Sequence, residues 1–202
     1  MGGQLGRLIT EARGCRLCEA QLPLGARPVF LARPDARVVL VGQAPGARVH
    51  ASGVPWDDPS GDTLRDWLGM SRDRFYNDPG LAILPTGFCY PGKGPSGDAA
   101  PRPECAPTWH PRFLQAMPKV SLIVTLGRYA QDRYVHAPSA TLSDTVRRWP
   151  EHLDQGVFPL PHPSPRNRIW IRRRPWFEAE VLPALRGRIQ ALLGGANRSV
   201  LP

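Results

Sequence analysis

Val38-Val39-Leu40-Val41-Gly42-Gln43-Ala44-Pro45-Gly46, continuing to Gly53-Val54-Pro55-Trp56, decides how this chain is read. Its first four residues are an unbroken apolar, mostly β-branched run. Such a run fits a strand buried on both faces, as in a parallel sheet. The strand stops at a Gly-Gln-Ala-Pro-Gly loop. Glycine lets backbone approach a ligand closely, and proline stiffens the loop. Ligands of open α/β sheets bind just past the carboxyl ends of the strands. The loop is therefore the expected floor of a site, with Gln43 as its polar tool. Its amide carries a donor and an acceptor, which suits the edge of a nucleobase. A plain turn with a solvated Gln43 is the alternative.

The chain has 202 residues, which suits one domain over 1–202 with a substantial core. No apolar run approaches the roughly 18 residues of a membrane span, and Met1–Arg13 lacks a secretion-type apolar core. The expectation is a soluble, cytoplasmic, monomeric protein with no membrane partner. The formal charge of +9 points to a polyanionic partner. Almost all of the excess is arginine, since Lys93 and Lys119 are the only lysines. The 24 prolines predict long ordered loops.

Further strands are expected at Leu81–Leu84, Ser121–Leu126 and Val157–Leu160, joining Arg37–Val41. Helices are expected over Gln4–Arg13, Gly61–Met70, Ser71–Tyr76, Cys105–Met117, Gly127–Tyr134 and Pro175–Leu193. Ser60 is the candidate cap of the second. Residues 136–155 carry no clear pattern, and Pro91–Pro103 reads as a loop. Alternating strands and helices imply an α/β fold: a three-layer α/β/α domain around a mostly parallel four-stranded sheet. Strand ends at Gln43, Thr86 and His162 would then converge on one sheet edge. The chain's four cysteines are Cys15, Cys18, Cys89 and Cys105. Four thiolates suit a [4Fe–4S] cluster or a tetrahedral zinc, with buried unligated thiols as the third reading.

Gly42-Gln43-Ala44-Pro45-Gly46 with a distant His162-Pro163-Ser164-Pro165 resembles the uracil-DNA glycosylase superfamily. The pattern is similar to its iron–sulfur branch, usually called family 4. That branch carries G-E-A-P-G, a G-x-P-F element and a second glycine motif. Gly53-Val54-Pro55-Trp56 and Ser60-Gly61 stand at the same spacing here. The branch also pairs an early C-x2-C with a later C-x15-C, matched by Cys15, Cys18, Cys89 and Cys105. The resemblance implies a [4Fe–4S] cluster in preference to zinc, and a partner that is DNA containing a damaged base.

It also implies a monofunctional glycosylase of base excision repair, hydrolysing the N-glycosidic bond of uracil or a related deaminated base. A catalytically reduced damage-binding member is the alternative. A non-DNA hydrolase is a further one, although no phosphate-cradling Gly-rich loop or nucleophile elbow is present. Trp56 would stack on the flipped base, and His162 would donate to a carbonyl of the leaving base. Gly42, Ala44 and Thr86 would line the substrate; Ser164 and Arg166 would meet the DNA backbone. Arg166 opens a basic run with Arg168, Arg172, Arg173 and Arg174.

The chain departs from the pattern in places. Ala44 stands where other members have a water-activating Asp, and Val49 and His50 where the iron–sulfur branch has acidic residues. Pro85 replaces the asparagine that reads the base edge. His50, Asp57 and Asp58 are the replacement candidates for positioning water, and Gln43 for reading the base. No lysine falls in the expected pocket, so the abasic strand would be left intact.

Overall fold

The computed structural model describes residues 2–95, 97–135 and 141–194. Its strands are β1 (Val38–Val41), β2 (Leu81–Ile83), β3 (Lys93–Gly94), β4 (Gly97–Asp98), β5 (Leu122–Leu126) and β6 (Val157–Leu160). The main sheet runs β2-β1-β5-β6, and every neighbouring pair is parallel. Val38 stands opposite both Leu81 and Leu122, and Val124 opposite Phe158. The helices are α1 (Gly2–Arg13), α2 (Ala47–Ser52), α3 (Pro59–Leu68), α4 (Arg72–Asn77) and α5 (Cys105–Ala116). They continue with α6 (Arg128–Tyr134), α7 (Leu142–Arg147), α8 (Trp149–Leu153), α9 (Arg168–Arg172) and α10 (Leu182–Leu193).

The apolar run of β1 is explained by its two buried faces. Val38 and Leu40 join Leu64, Trp67, Phe177, Leu185 and Ile189 in one core, under α3 and α10. Val39 and Val41 point the other way, into Leu5, Leu8, Trp109, Phe113 and Ala130 of α1, α5 and α6. Successive strand side chains alternate between faces, so a central strand covered twice must be apolar throughout. The fold is thus the expected three-layer α/β/α domain, with all four main strands parallel. Among the described residues, no helix is long and apolar enough to cross a membrane.

Several local expectations are revised. Helix α3 begins at Pro59, and its cap is Asp58 rather than Ser60: the Asp58 carboxylate accepts the Gly61 N–H at 2.8 Å. Proline at the first helical position needs no N–H partner, which favours this start. Gly46–Pro59 contains the short helix α2, and Pro91–Pro103 contains the β3–β4 hairpin. Within the unpatterned 136–155, helix α7 is set by a Thr141–Asp144 capping box, followed by α8. Residues 136–140 lie outside the described residues. Before α10, Phe177–Val181 widens into a π turn.

One buried polar group ties the layers to the strand ends. His110 of α5 is 1 % exposed. Its Nε2 lies 3.0 Å from the Pro85 carbonyl and its Nδ1 2.6 Å from the Tyr134 hydroxyl. A neutral ring satisfies both: Nε2–H donates to Pro85, and Nδ1 accepts from Tyr134. Burial pushes the imidazole down to about 4 from an ordinary 6.5. The unfolded chain then binds this proton first as pH falls, so the contribution to stability is full above 6.5 and is lost towards pH 4. It amounts to about 3 kcal/mol, from about 1.4 kcal/mol per pH unit. Denaturant titrations between pH 7 and pH 4 are expected to show stability falling, with a shallower fall in His110→Gln. A slope identical in the two proteins would remove His110 as its source.

Candidate active site

The carboxyl ends of β1, β2 and β6 open into a cavity of ≈ 500 Å³. That volume lies in the range of small-molecule sites. Its floor is Gly42, Gln43, Ala44, Pro45 and Gly46; Pro85, Trp56, His162, Ser164 and Arg166 form much of its wall. The cavity thus brings together Gly42, Gln43, Ala44, Trp56, His162, Ser164 and Arg166. It also takes in Asp58, Asp98, Tyr129 and Asn167, which the family motifs did not mark.

Thr86, His50 and Asp57 are placed elsewhere. Thr86 is buried behind the floor, where its hydroxyl hydrogen-bonds the Gly42 and Gln43 carbonyls. The N–H groups of Thr86 and Gly87 also donate to those two carbonyls, each at 2.9 Å. Thr86 therefore staples the two strand ends together. His50 is buried on α2, its ring 5.9 Å from that of Tyr90, with Nδ1 unpartnered. Burial, assisted by Arg27, holds its pKa below the ordinary value. Asp57 turns outward and pairs with Arg72 at 2.7 Å.

Trp56 is held by backbone geometry. Its φ is +58°, the one positive value among described non-glycine residues. The left-handed region costs a tryptophan about 1–3 kcal/mol, so the surroundings must enforce it. Arg65, buried at 5 %, donates to the Trp56 carbonyl at 3.2 Å and pairs with Asp62 at 2.5 Å. The Tyr76 hydroxyl donates to the Pro55 carbonyl at 2.9 Å. Two glycines leave the space Trp56 occupies. A Cβ on Gly61 would sit 1.8 Å from the Trp56 carbonyl oxygen, and one on Gly42 would sit 2.8 Å from the indole Cζ2.

His162 follows the end of β6. The Asn167 side chain donates to its carbonyl at 2.7 Å, and Ser164 Oγ accepts the Arg166 N–H at 3.3 Å. The imidazole and the Trp56 indole are 5.5 Å apart, tilted by 38°. A base sandwiched between them would need about twice a 3.5 Å contact distance. The gap is therefore too narrow for a planar ring to lie between the two. Burial lowers the pKa of His162, while Asp58 and Asp98 pull it upward. The net result is a neutral ring, able to donate one N–H to a carbonyl oxygen.

Two carboxylates flank the floor at Gly46. A Cβ there would lie 3.2 Å from Asp98 Oδ2 and 4.0 Å from Asp58 Oδ2. Asp58 spends Oδ1 on the helix cap, which leaves Oδ2 on the cavity side. The sequence signal for this was present: an Asp capping a Pro-started helix has its rotamer fixed, whereas Asp57 has no such anchor. The expectation of a lysine-free pocket fails, because Lys93 lines the rim. It is mostly exposed, and its Nζ meets Asp98 at 3.2 Å.

The four cysteines occupy a second locality. Among the described residues, no three His, Cys, Asp or Glu side chains gather as the ligands of a single ion do. The thiols nevertheless act on one another. Burial, with smaller help from the neighbouring cysteines and against backbone N–H bonds that pull the other way, pushes Cys89 up to about 11 and Cys105 up to about 12. Cys18 is raised by burial, with Glu104 and Cys15 adding to it. Backbone N–H groups of Phe88, at 3.2 Å, and of Arg27 donate to the sulfurs of Cys105 and Cys89.

Among known families, the model of the uracil DNA glycosylase superfamily matches residues 29–186. That span covers the cavity and two of the cysteines, and leaves Cys15 and Cys18 outside it. The cavity's geometry makes its own test. Gly42→Ala should displace the indole and weaken binding of an oligonucleotide with an extrahelical base by about tenfold, with the fold retained, since the cost falls on one stacking contact. Unchanged binding would show that the ring yields without consequence.

Proposed function

The chain belongs to the uracil DNA glycosylase superfamily, and from that premise we propose that it is a monofunctional DNA N-glycosylase. It removes uracil, or a related deaminated base, by hydrolysis in base excision repair. The observation that carries this reading is the pairing of Trp56 and a neutral His162 across one cavity at the strand ends. Breaking the glycosidic bond leaves an oxocarbenium-like sugar and an anionic base. A flipped base stacks on Trp56, and His162 donates to the carbonyl oxygen where negative charge collects. Because the imidazole starts neutral, it lends a hydrogen bond without giving up its proton.

Asp58 takes the place of the missing acid at Ala44. Its free Oδ2, anchored by the helix cap, orients a water towards the sugar and favours the cationic transition state. Rigid helix-borne carboxylates suit that task. Lys93 is solvated and ion-paired, lacking the desolvation that makes a lysine a Schiff-base nucleophile. The strand is thus left as an intact abasic product. Arg166 lines the cavity, and Arg168, Arg172, Arg173 and Arg174 follow it through the end of the 3-10 turn and α9. They meet phosphates, so binding should weaken steeply as salt rises.

The cysteine locality fits a [4Fe–4S] cluster better than zinc. Zinc draws four sulfurs to about 2.3 Å of one point. A cluster takes one thiolate at each iron, and N–H···S bonds such as those from Phe88 and Arg27 tune it. Cys15, Cys18, Cys89 and Cys105 would hold it, fastening the segment after α1 to the strand-end loops. Such a cluster supplies structure and no step of the hydrolysis. Anaerobically purified protein should be brown with about four irons per chain, a content lost in Cys105→Ser. One zinc per chain would contradict the assignment.

Single-turnover excision from a uracil-containing oligonucleotide tests the catalytic reading. His162→Ala should slow the chemical step by about 10²–10³, the usual worth of one positioned donor. Trp56→Ala should mainly weaken capture. Equal rates in wild type and His162→Ala would remove His162 from the mechanism. Wild-type binding of damaged DNA without excision would favour the damage-binding alternative.

A further inference from the structure

The β3–β4 hairpin lies outside every motif that marks the site, yet it reaches over the cavity. Gln43 Nε2 donates to the Ala99 carbonyl at 3.0 Å, which ties the hairpin's exit to the floor. The Ala99 N–H donates in turn to the Gly92 carbonyl at 2.9 Å, closing the hairpin's base. Gly97 packs on the Arg166 guanidinium, which would lie 2.3 Å from a Cβ placed there. The hairpin therefore bridges the first strand-end loop and the loop after His162. It carries Asp98 into the cavity, with Oδ2 against Gly46 and Oδ1 on Lys93 at 3.2 Å. The amide of Gln43, offered by the sequence as the base-edge reader, has one of its two N–H donors engaged by this tether, which fixes its orientation. The position of the family's asparagine reader is Pro85, which has no side-chain polar atom.

We propose that Asp98 reads the base: its free carboxylate oxygen accepts the ring N–H beside the carbonyl that His162 engages. The proposal rests on the reading above, in which a flipped base fills the cavity. His162 as donor and Asp98 as acceptor present a matched pair to a C=O/N–H lactam edge. Uracil offers that edge as O2 and N3–H. Cytosine offers O2 and a bare N3, two acceptors, so the carboxylate meets a lone pair and the contact becomes repulsive. Deamination of cytosine creates the N3–H that this acceptor detects. Lys93 offsets the charge of Asp98, so the base anion formed on cleavage does not face an unpaired carboxylate. The hairpin is joined to the floor by Gln43, so the reader is positioned by the same loop that lines the base.

Binding measured without turnover tests this. The probes are oligonucleotides carrying 2′-fluoro-2′-deoxyuridine, its N3-methyl derivative or 2′-fluoro-2′-deoxycytidine. Each is placed opposite an abasic analogue, so that unpairing costs are equal. Wild type should prefer the uracil probe by about 10–100-fold, the worth of one charge-assisted hydrogen bond. Asp98→Ala should bring all three probes within about threefold of one another, by weakening the uracil probe and relieving the unfavourable contact with the other two. Its affinity for undamaged DNA should remain that of wild type, which reports an intact fold. Asp98→Asn, whose amide can turn either edge to the base, should narrow the uracil–cytosine gap while both probes bind. A preference of the same size in wild type and Asp98→Ala, or none in wild type, overturns the assignment. Cleavage of ordinary 2′-deoxyuridine is scored alongside. Preference without cleavage overturns the glycosylase reading and leaves Asp98 as the reader; cleavage without an Asp98-dependent preference does the reverse.

Discussion

Everything at the site depends on the close approach of Trp56 to two glycines. The indole edge occupies the space over Gly42, and the Trp56 carbonyl occupies the space over Gly61. No residue with a Cβ fits at Gly61 without moving the chain. The tryptophan itself accepts a left-handed backbone, φ +58°, to point its ring into the cavity. A strained residue persists only where its neighbours over-determine it. Here Arg65 and Tyr76 hold the carbonyls of Trp56 and Pro55 from below, and α3 starts three residues after Trp56. The strain is local, and the stable three-layer core supports it.

That core also sets the electrostatics. Parallel strands end together, so loops after β1, β2 and β6 meet at one edge. Thr86 binds the first two loops to each other, and His110 secures the second to α5. The result is a cross-tied rim around the cavity. Burial there keeps His162 uncharged despite two nearby carboxylates. Asp58 and Asp98 approach the same floor residue from different elements, one from a helix cap and one from a hairpin. In the proposed reading the fixed carboxylate orients water and the one on the bridging hairpin reads the base.

The fold was legible because its signals are strong and local. Val38–Val41 can be apolar at every position only if covered on both faces, and it is. Asp58 is half legible: it stands among the candidates for positioning water, but the sequence offers Ser60 as well for the cap of α3. In Asp-Asp-Pro-Ser any of three side chains could cap, and only the proline's place at the first helical turn decides for Asp58. Asp57, its neighbour, is drawn outward by Arg72, a partner too distant in sequence to foresee. The β3–β4 hairpin was invisible because its strands are two residues long, glycine-rich and lacking alternation. Asp98 was hidden with it. Helices α7 and α8 are too short for a helical period to emerge. Lys93, expected outside the pocket, reached its rim on the same unseen hairpin.

The central claim is that a base leaves the DNA stack and lies on Trp56 with its carbonyl edge towards His162. The most direct measurement is a crystal structure with an oligonucleotide carrying 2′-fluoro-2′-deoxyuridine, whose glycosidic bond resists cleavage. The account predicts the uracil ring parallel to the Trp56 indole, with a carbonyl oxygen about 2.6–3.2 Å from a His162 ring nitrogen. A uracil still stacked in its strand, with the DNA bound elsewhere and the cavity unfilled, would contradict it.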